Sequence, residues 1–184
     1  ANIGRTLQKL CQDRNNRIII ACNTDRIAES RLRIIKSHIE RNPLFRWLYP
    51  ELKPSKDKWT SHEILIERDG DFADPSVTIV GVGSALAGRH CTTFIKDDIV
   101  DDKNTNTPEL EQGVIDWDAT TIPIFESPES GEEEEIVIGT PWTHTDLYSI
   151  KRRDPDYAVY IRHALEDEKG ESDYAGGKAI FPER

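Results

Sequence analysis

Three short apolar runs, each ending in polar residues, limit what this chain can fold into. Ile18-Ile19-Ile20-Ala21-Cys22 is apolar at every position and is followed by Asn23, Thr24 and Asp25. A strand with one wet face would alternate, whereas an unbroken run of strand length is the pattern of a strand covered on both faces of a parallel sheet. Thr93-Phe94-Ile95-Lys96-Asp97-Asp98 and Ile136-Val137-Ile138-Gly139-Thr140-Pro141 read the same way, as short buried strands that deliver polar residues at their C-terminal ends. Helical spacing flanks the first run. Ile3, Leu7, Leu10 and Cys11 precede it, and Ala28, Leu32, Ile35 and Ile39 follow, with Arg31, Arg33 and Lys36 expected to face outward. This succession predicts a three-layer α/β fold, a mainly parallel central sheet flanked by helices and joined by right-handed crossovers.

The remaining segments fit around that frame. Residues 42–60 carry Pro43, Pro50 and Pro54 with Trp47, Tyr49 and Trp59, which predicts a packed loop. Residues 63–68 and 76–80 read as two strands joined over Asp69-Gly70-Asp71, and Gly81, Gly83 and Gly88 open the loop beyond them. A polar loop over 101–113 leads into a helix near 109–117, and the acidic run 132–135 reads as a solvated turn. Thr145 is the expected cap of a short helix carrying Leu147 and Ile150. Residues 158–164 alternate like a strand, the tail to Arg184 is irregular, and no internal repeat is present.

Composition bounds the function classes. A chain of 184 residues is large enough for one core and requires no second. Charged residues make up 32%, and no apolar stretch has the length of a membrane span or signal peptide, so an aqueous setting without a membrane partner is expected. The net charge of -10 argues against this piece being a high-affinity DNA surface by itself, since phosphate neutralisation needs clustered cations. The local candidates for such a surface are 53–58 and Lys151-Arg152-Arg153, although short basic runs on loops and helix ends are more often solvated than functional. Three cysteines without a C-x-x-C spacing support neither a disulfide framework nor a zinc site, and a reducing, intracellular setting fits best.

The chemistry is concentrated at the strand ends. Two adjacent carboxylates repel unless a cation is near, so Asp97-Asp98 after a buried strand points to a metal-assisted site of the kind ATPases use to hold magnesium and orient a water. The plainer alternative is a turn with Asp98 capping a helix and Asp97 solvated, or with Lys96 paired to Asp97. Thr140 offers a hydroxyl with two discrete classes of partner, phosphate or backbone. Asn23 and Thr24 end a central strand, where they cap the next helix or face a ligand. Arg89 lies in a glycine-containing loop, and His144 reads as an exposed loop residue. No G-x-x-x-x-G-K-[ST] loop occurs, and Gly4-Arg5-Thr6 falls within the first helical segment.

Residues 18–24, the Gly88-Arg89-His90 loop before Asp97-Asp98-Ile99-Val100, Ile138-Gly139-Thr140-Pro141-Trp142 with Asp146-Leu147, and Phe181-Pro182-Glu183-Arg184 together resemble the ATPase domain of tailed-phage terminase large subunits. The resemblance runs in order along nearly the whole chain. It implies a P-loop NTPase-like (ASCE) core spanning 1–184 that is partial, with the phosphate loop expected upstream of Ala1 and a nuclease domain after Arg184. The missing methionine fits a piece of a longer protein. It further implies that Asp97 is the Walker B carboxylate acting on magnesium, that Asp98 orients the attacking water, and that Thr140 senses the terminal phosphate. Arg89 would be presented to a neighbouring subunit's nucleotide, and Asn23 and Thr24 would lie near the nucleotide. Two departures stand out: Lys96 interrupts the apolar run, and Asp98 occupies a position where many such ATPases have Glu. The implied cofactors are ATP and Mg2+. The implied partners are double-stranded DNA, a portal protein, a small terminase subunit and further copies of the chain, in the cytoplasm of an infected bacterial host. A helicase-like nucleic-acid ATPase and a non-catalytic scaffold module are the rival readings.

Overall fold

A computed structural model describes residues 2–125, 133–167, 169–172, 176 and 178–179. Within it the chain divides into two units, Ala1–Ile150 and Lys151–Arg184. The first contains α1 (Asn2–Gln12), β1 (Ile18–Cys22), α2 (Asp25–Arg41), α3 (Pro43–Leu48), β2 (Pro54–Trp59), β3 (Glu63–Ile66), β4 (Val77–Gly81), β5 (Thr93–Asp97), α4 (Pro108–Thr120), β6 (Glu134–Ile138) and all but the last residue of α5 (Leu147–Lys151).

These strands form one six-stranded sheet in the order β2-β3-β4-β1-β5-β6. β4, β1, β5 and β6 run parallel, and β2 and β3 are antiparallel additions at one side. β1, β4 and β5 are buried at every position, which is why their sequences are not alternating. Ile18, Ile20, Cys22, Val77, Ile79 and Ile95 face α1 and α2, meeting Leu7, Leu10, Leu32 and Ile35. Ile19, Ala21, Val80 and Phe94 face the opposite layer, meeting Val114, Trp117, Leu147 and Tyr148. The three-layer α/β architecture with a mostly parallel sheet is therefore as expected. Each fully buried Ile or Leu in these faces contributes roughly 1.5–3 kcal/mol of burial free energy.

Several local expectations are corrected. Residues 42–60 are not a packed loop but hold α3 and β2. Asn42 accepts from the Phe45 amide, and Pro43 occupies the first helical position, where its missing N–H costs nothing. Pro54 opens an edge strand, the position in a sheet that tolerates proline. The acidic run is not simply a solvated turn. Glu134 and Glu135 lie within β6, opposite Thr93 and Phe94, and Glu134 lies 2.6 Å from Arg5 and 2.8 Å from Lys9. Glu132 falls outside the described residues. In the second unit no strand forms over 158–163. The pairing there is β7 (Leu165–Glu166) with β8 (Lys178–Ala179), and Arg162 lies 2.9 Å from Glu166. The motif Phe181-Pro182-Glu183-Arg184 also falls outside the described residues.

Candidate functional site

The topology selects one edge of the sheet. β1 continues into α2 on one face and leads toward β4, while β5 continues into α4 on the other face and leads toward β6. Neighbouring strands that send the chain in opposite directions define a switch point, and open α/β sheets bind ligands beyond the carboxyl ends of such strands. Register aligns those ends: Cys22 pairs with Gly81 and with Asp97, and Asp97 pairs with Ile138. Asn23, Asp97, Asp98, Gly139 and Thr140 thus arrive at one edge.

Asp97 points toward the α1 and α2 layer and is buried, 6% exposed. Asn2 Nδ2 donates to its Oδ2 at 2.6 Å. Arg31 Nε lies 3.4 Å from the same oxygen, an ion pair too poorly directed to count as a hydrogen bond. Burial pushes the Asp97 carboxyl above the usual carboxylate range, and Asp98 pushes it the same way, against the pull of Arg31. Arg31 was expected to face outward and does not. Its position three residues after Ala28 and four before Ile35 places it at the margin of the apolar stripe, which is the signal that was available.

Asp98 is exposed and adopts φ 51°, the left-handed region that only Gly, Asn and Asp enter at low cost. Its amide donates to the Ile138 carbonyl at 2.9 Å, tying β5 to β6 beyond the last ladder pair. The turn then brings the Ile99 amide to the Tyr148 hydroxyl at 2.8 Å, and that hydroxyl donates to the Ile138 carbonyl at 3.2 Å. Burial raises the Tyr148 phenol to about 12, so it remains a donor at neutral pH. Gly139 permits this arrangement, since a Cβ there would come within 2.1 Å of the Tyr148 ring. Thr140 is exposed at the end of β6, and its hydroxyl makes no hydrogen bond among the described residues.

The other candidates have local partners. Asn23 donates to the Asp101 carboxylate and accepts from Asn104 Nδ2 at 3.3 Å, which fastens the end of β1 to the loop after β5. Thr24 caps α2, accepting from the Ile27 amide at 3.4 Å. Arg89 precedes β5 and lies 2.7 Å from Glu63, away from the carboxyl edge. Burial alone would raise the Glu63 carboxyl, but Lys58 and Arg89 hold it below the usual range. His144 is exposed. Lys96 does not compete for Asp97. As its neighbour along the strand it projects to the opposite face, where it is fully buried and pairs with Asp118 and Glu135, with Thr121 Oγ1 at 3.0 Å.

Asp146, not Thr145, organises the segment after β6. It is fully buried; its Oδ2 accepts from the Trp142 and Thr143 amides at 2.6 and 3.1 Å, and its Oδ1 from Ser149 at 2.8 Å. Burial would raise this carboxyl, but the three amides outweigh it and hold it below the usual range. A depressed folded value stabilises the fold above the unfolded pKa of about 3.9 and loses that contribution as pH falls through the folded value. Asp146→Ala is therefore expected to lose about 1.5–3 kcal/mol in urea unfolding at pH 7, with the deficit shrinking under acid conditions below the unfolded pKa.

Among the described residues, no three His, Cys, Asp or Glu side chains gather into a metal-holding group. Two surface concavities, about 620 Å³ between α1 and α3 and about 640 Å³ along α2, touch none of the carboxyl-edge residues. Asp97 itself is contacted by Asn2 and Arg31. No protein-family model matches the chain, and no curated protein matches it.

Proposed function

We propose that this chain is a partial P-loop NTPase-like ATPase core from a terminase large subunit, using ATP and magnesium to drive double-stranded DNA into a procapsid. The observation that carries this reading is the placement of Asp97-Asp98 at the carboxyl end of β5, beside β1 at the switch point and in register with the strand that ends in Gly139-Thr140. Magnesium takes one or two carboxylates and completes its shell with water and phosphate oxygens, so a buried Asp97 next to an exposed Asp98 fits a shared site even without an all-protein cage. Asp97 would hold the ion, which when bound neutralises charge on the phosphates.

The chain's own residues supply the rest. Asp98 presents an exposed carboxylate able to accept a hydrogen bond from an attacking water. Thr140 has a hydroxyl with no competing partner among the described residues, so it can engage a terminal phosphate and release it when the phosphate leaves. Arg89 must give up Glu63 to serve a neighbouring subunit. A phosphate loop upstream, a nuclease domain downstream, a portal protein, a small subunit, further copies and an infected bacterial cytoplasm belong to the same proposal.

The test is ATP turnover. Residues 1–184 alone are expected to show none, because the amides and lysine that cradle the β and γ phosphates are not in this sequence. The protein extended upstream is expected to hydrolyse ATP in a magnesium-dependent manner. Robust turnover by residues 1–184 would overturn the upstream phosphate loop, and an inactive extended protein would overturn the ATPase reading.

A further inference from the structure

We propose that Arg31 is a phosphate-binding residue of the carboxyl edge, parked on Asp97 until a polyphosphate takes its guanidinium. The inference rests on the ATPase reading above for the identity of its ligand, a nucleotide polyphosphate, but on independent geometry for the residue.

Arg31 sits on α2, the helix that leaves β1 directly at the switch point. Its Nε is buried and finds no well-directed acceptor, with Asp97 Oδ2 at 3.4 Å as its nearest ionic partner. The Nε contact with Asp97 is an ion pair that falls short of ordinary hydrogen-bond geometry. The side chain is nevertheless 34% exposed, so it is not sealed off from solvent at the end of the sheet where Asp97 lies. A guanidinium with unused donors is the group that binds phosphate oxygens in pairs, and a charged donor with a buried nitrogen left unsatisfied stands to gain more from such a ligand than a fully engaged one. A structural arginine serving only to neutralise Asp97 would be expected to close the gap and direct its fork at the carboxylate. Here Asn2 makes the short contact, at 2.6 Å, and Arg31 stays back.

The arrangement makes two events one. When the guanidinium moves to a phosphate, Asp97 loses its cation, and its carboxylate can take a new cationic partner in its place. Asn2, which remains on Asp97, keeps the carboxylate oriented meanwhile. No bond is made or broken covalently; the exchange is one of ionic partners.

The experiment is a titration of residues 1–184 with inorganic tripolyphosphate, followed by the Arg31 Nε–Hε resonance and the Asp97 carboxyl carbon. Both are expected to shift together and saturate. Arg31→Gln is expected to weaken binding by about tenfold or more, and Arg31→Lys, which keeps the charge but not the fork, by several-fold. The parent resonances make the result independent of how the variants fold. An unmoved Arg31 resonance at millimolar tripolyphosphate, or parental affinity in Arg31→Gln, would overturn the proposal. The outcome separates from that of the ATPase reading. An extended protein that hydrolyses ATP at parental rate with Arg31→Gln removes Arg31 alone, whereas an Arg31 shift in a protein that never hydrolyses ATP removes the ATPase reading and keeps the phosphate site.

Discussion

Asp98→Asn in the upstream-extended protein is expected to lower ATP turnover by about 10²–10⁴-fold while leaving nucleotide affinity within a few-fold of the parent. The amide is nearly isosteric, yet it cannot accept a proton or hold a water as a carboxylate does. The backbone makes this a clean substitution. Asp98 has φ 51°, and Asn is among the few residues that enter this region readily, so the turn and its amide bond to Ile138 should persist. Asp98→Ala would add backbone strain and confuse the result. Asp97→Asn should behave differently, because Asp97 is buried against Asn2 and Arg31. Its loss should weaken nucleotide binding and magnesium dependence together. Steady-state kinetics with magnesium titrations would distinguish the two, and parental turnover in both variants would remove the Walker B assignment.

Lys96→Ala is expected to cost about 3–5 kcal/mol in denaturant unfolding at pH 7, because it withdraws the cation from two carboxylates within the core. Lys96 is fully buried between β5 and α4, paired with Asp118 on α4 and Glu135 on β6. A buried ion cluster is only weakly stabilising as a whole, since desolvation offsets most of the attraction, but breaking it from one side is expensive. Lys96→Met, which retains most of the side-chain volume, should therefore remain strongly destabilising. Combining Lys96→Met with Asp118→Leu and Glu135→Leu should recover much of the loss. Lys96→Ala folding as stably as the parent would mean that the cluster contributes nothing to holding β5, β6 and α4 together.

The elements that sequence made legible are those whose burial is periodic. β1 is apolar at every residue because helices cover both its faces, and α1 and α2 show their stripes because each packs one side on the sheet. α3 and β2 were hidden by prolines that sit where proline is tolerated, at a helix start and an edge-strand start. Glu134 and Glu135 read as solvent-facing because the cations that receive them, Arg5, Lys9 and Lys96, come from distant parts of the chain. The same limit applies to the site. The Asp97-Asp98 pair was visible as a local pattern, but the strand order and the register that align it with Asn23 and Thr140 arise from long-range pairing. Asn2 carried no signal and Arg31 read as outward-facing, because their contact with Asp97 exists only once α1 and α2 lie on the sheet. Residues 158–164 failed for the opposite reason, an alternating pattern that finds no strand partner among the described residues.

The central claim is that nucleotide phosphates sit beyond the carboxyl ends of β1 and β5. Amide hydrogen exchange of the upstream-extended protein, with and without magnesium and a non-hydrolysable ATP analogue, tests it most directly. Slowed exchange within residues 1–184 should concentrate at Asn23, Asp98, Ile99 and Thr140, with little change along α3 and β2. Saturating nucleotide that leaves those four amides unchanged would contradict the account.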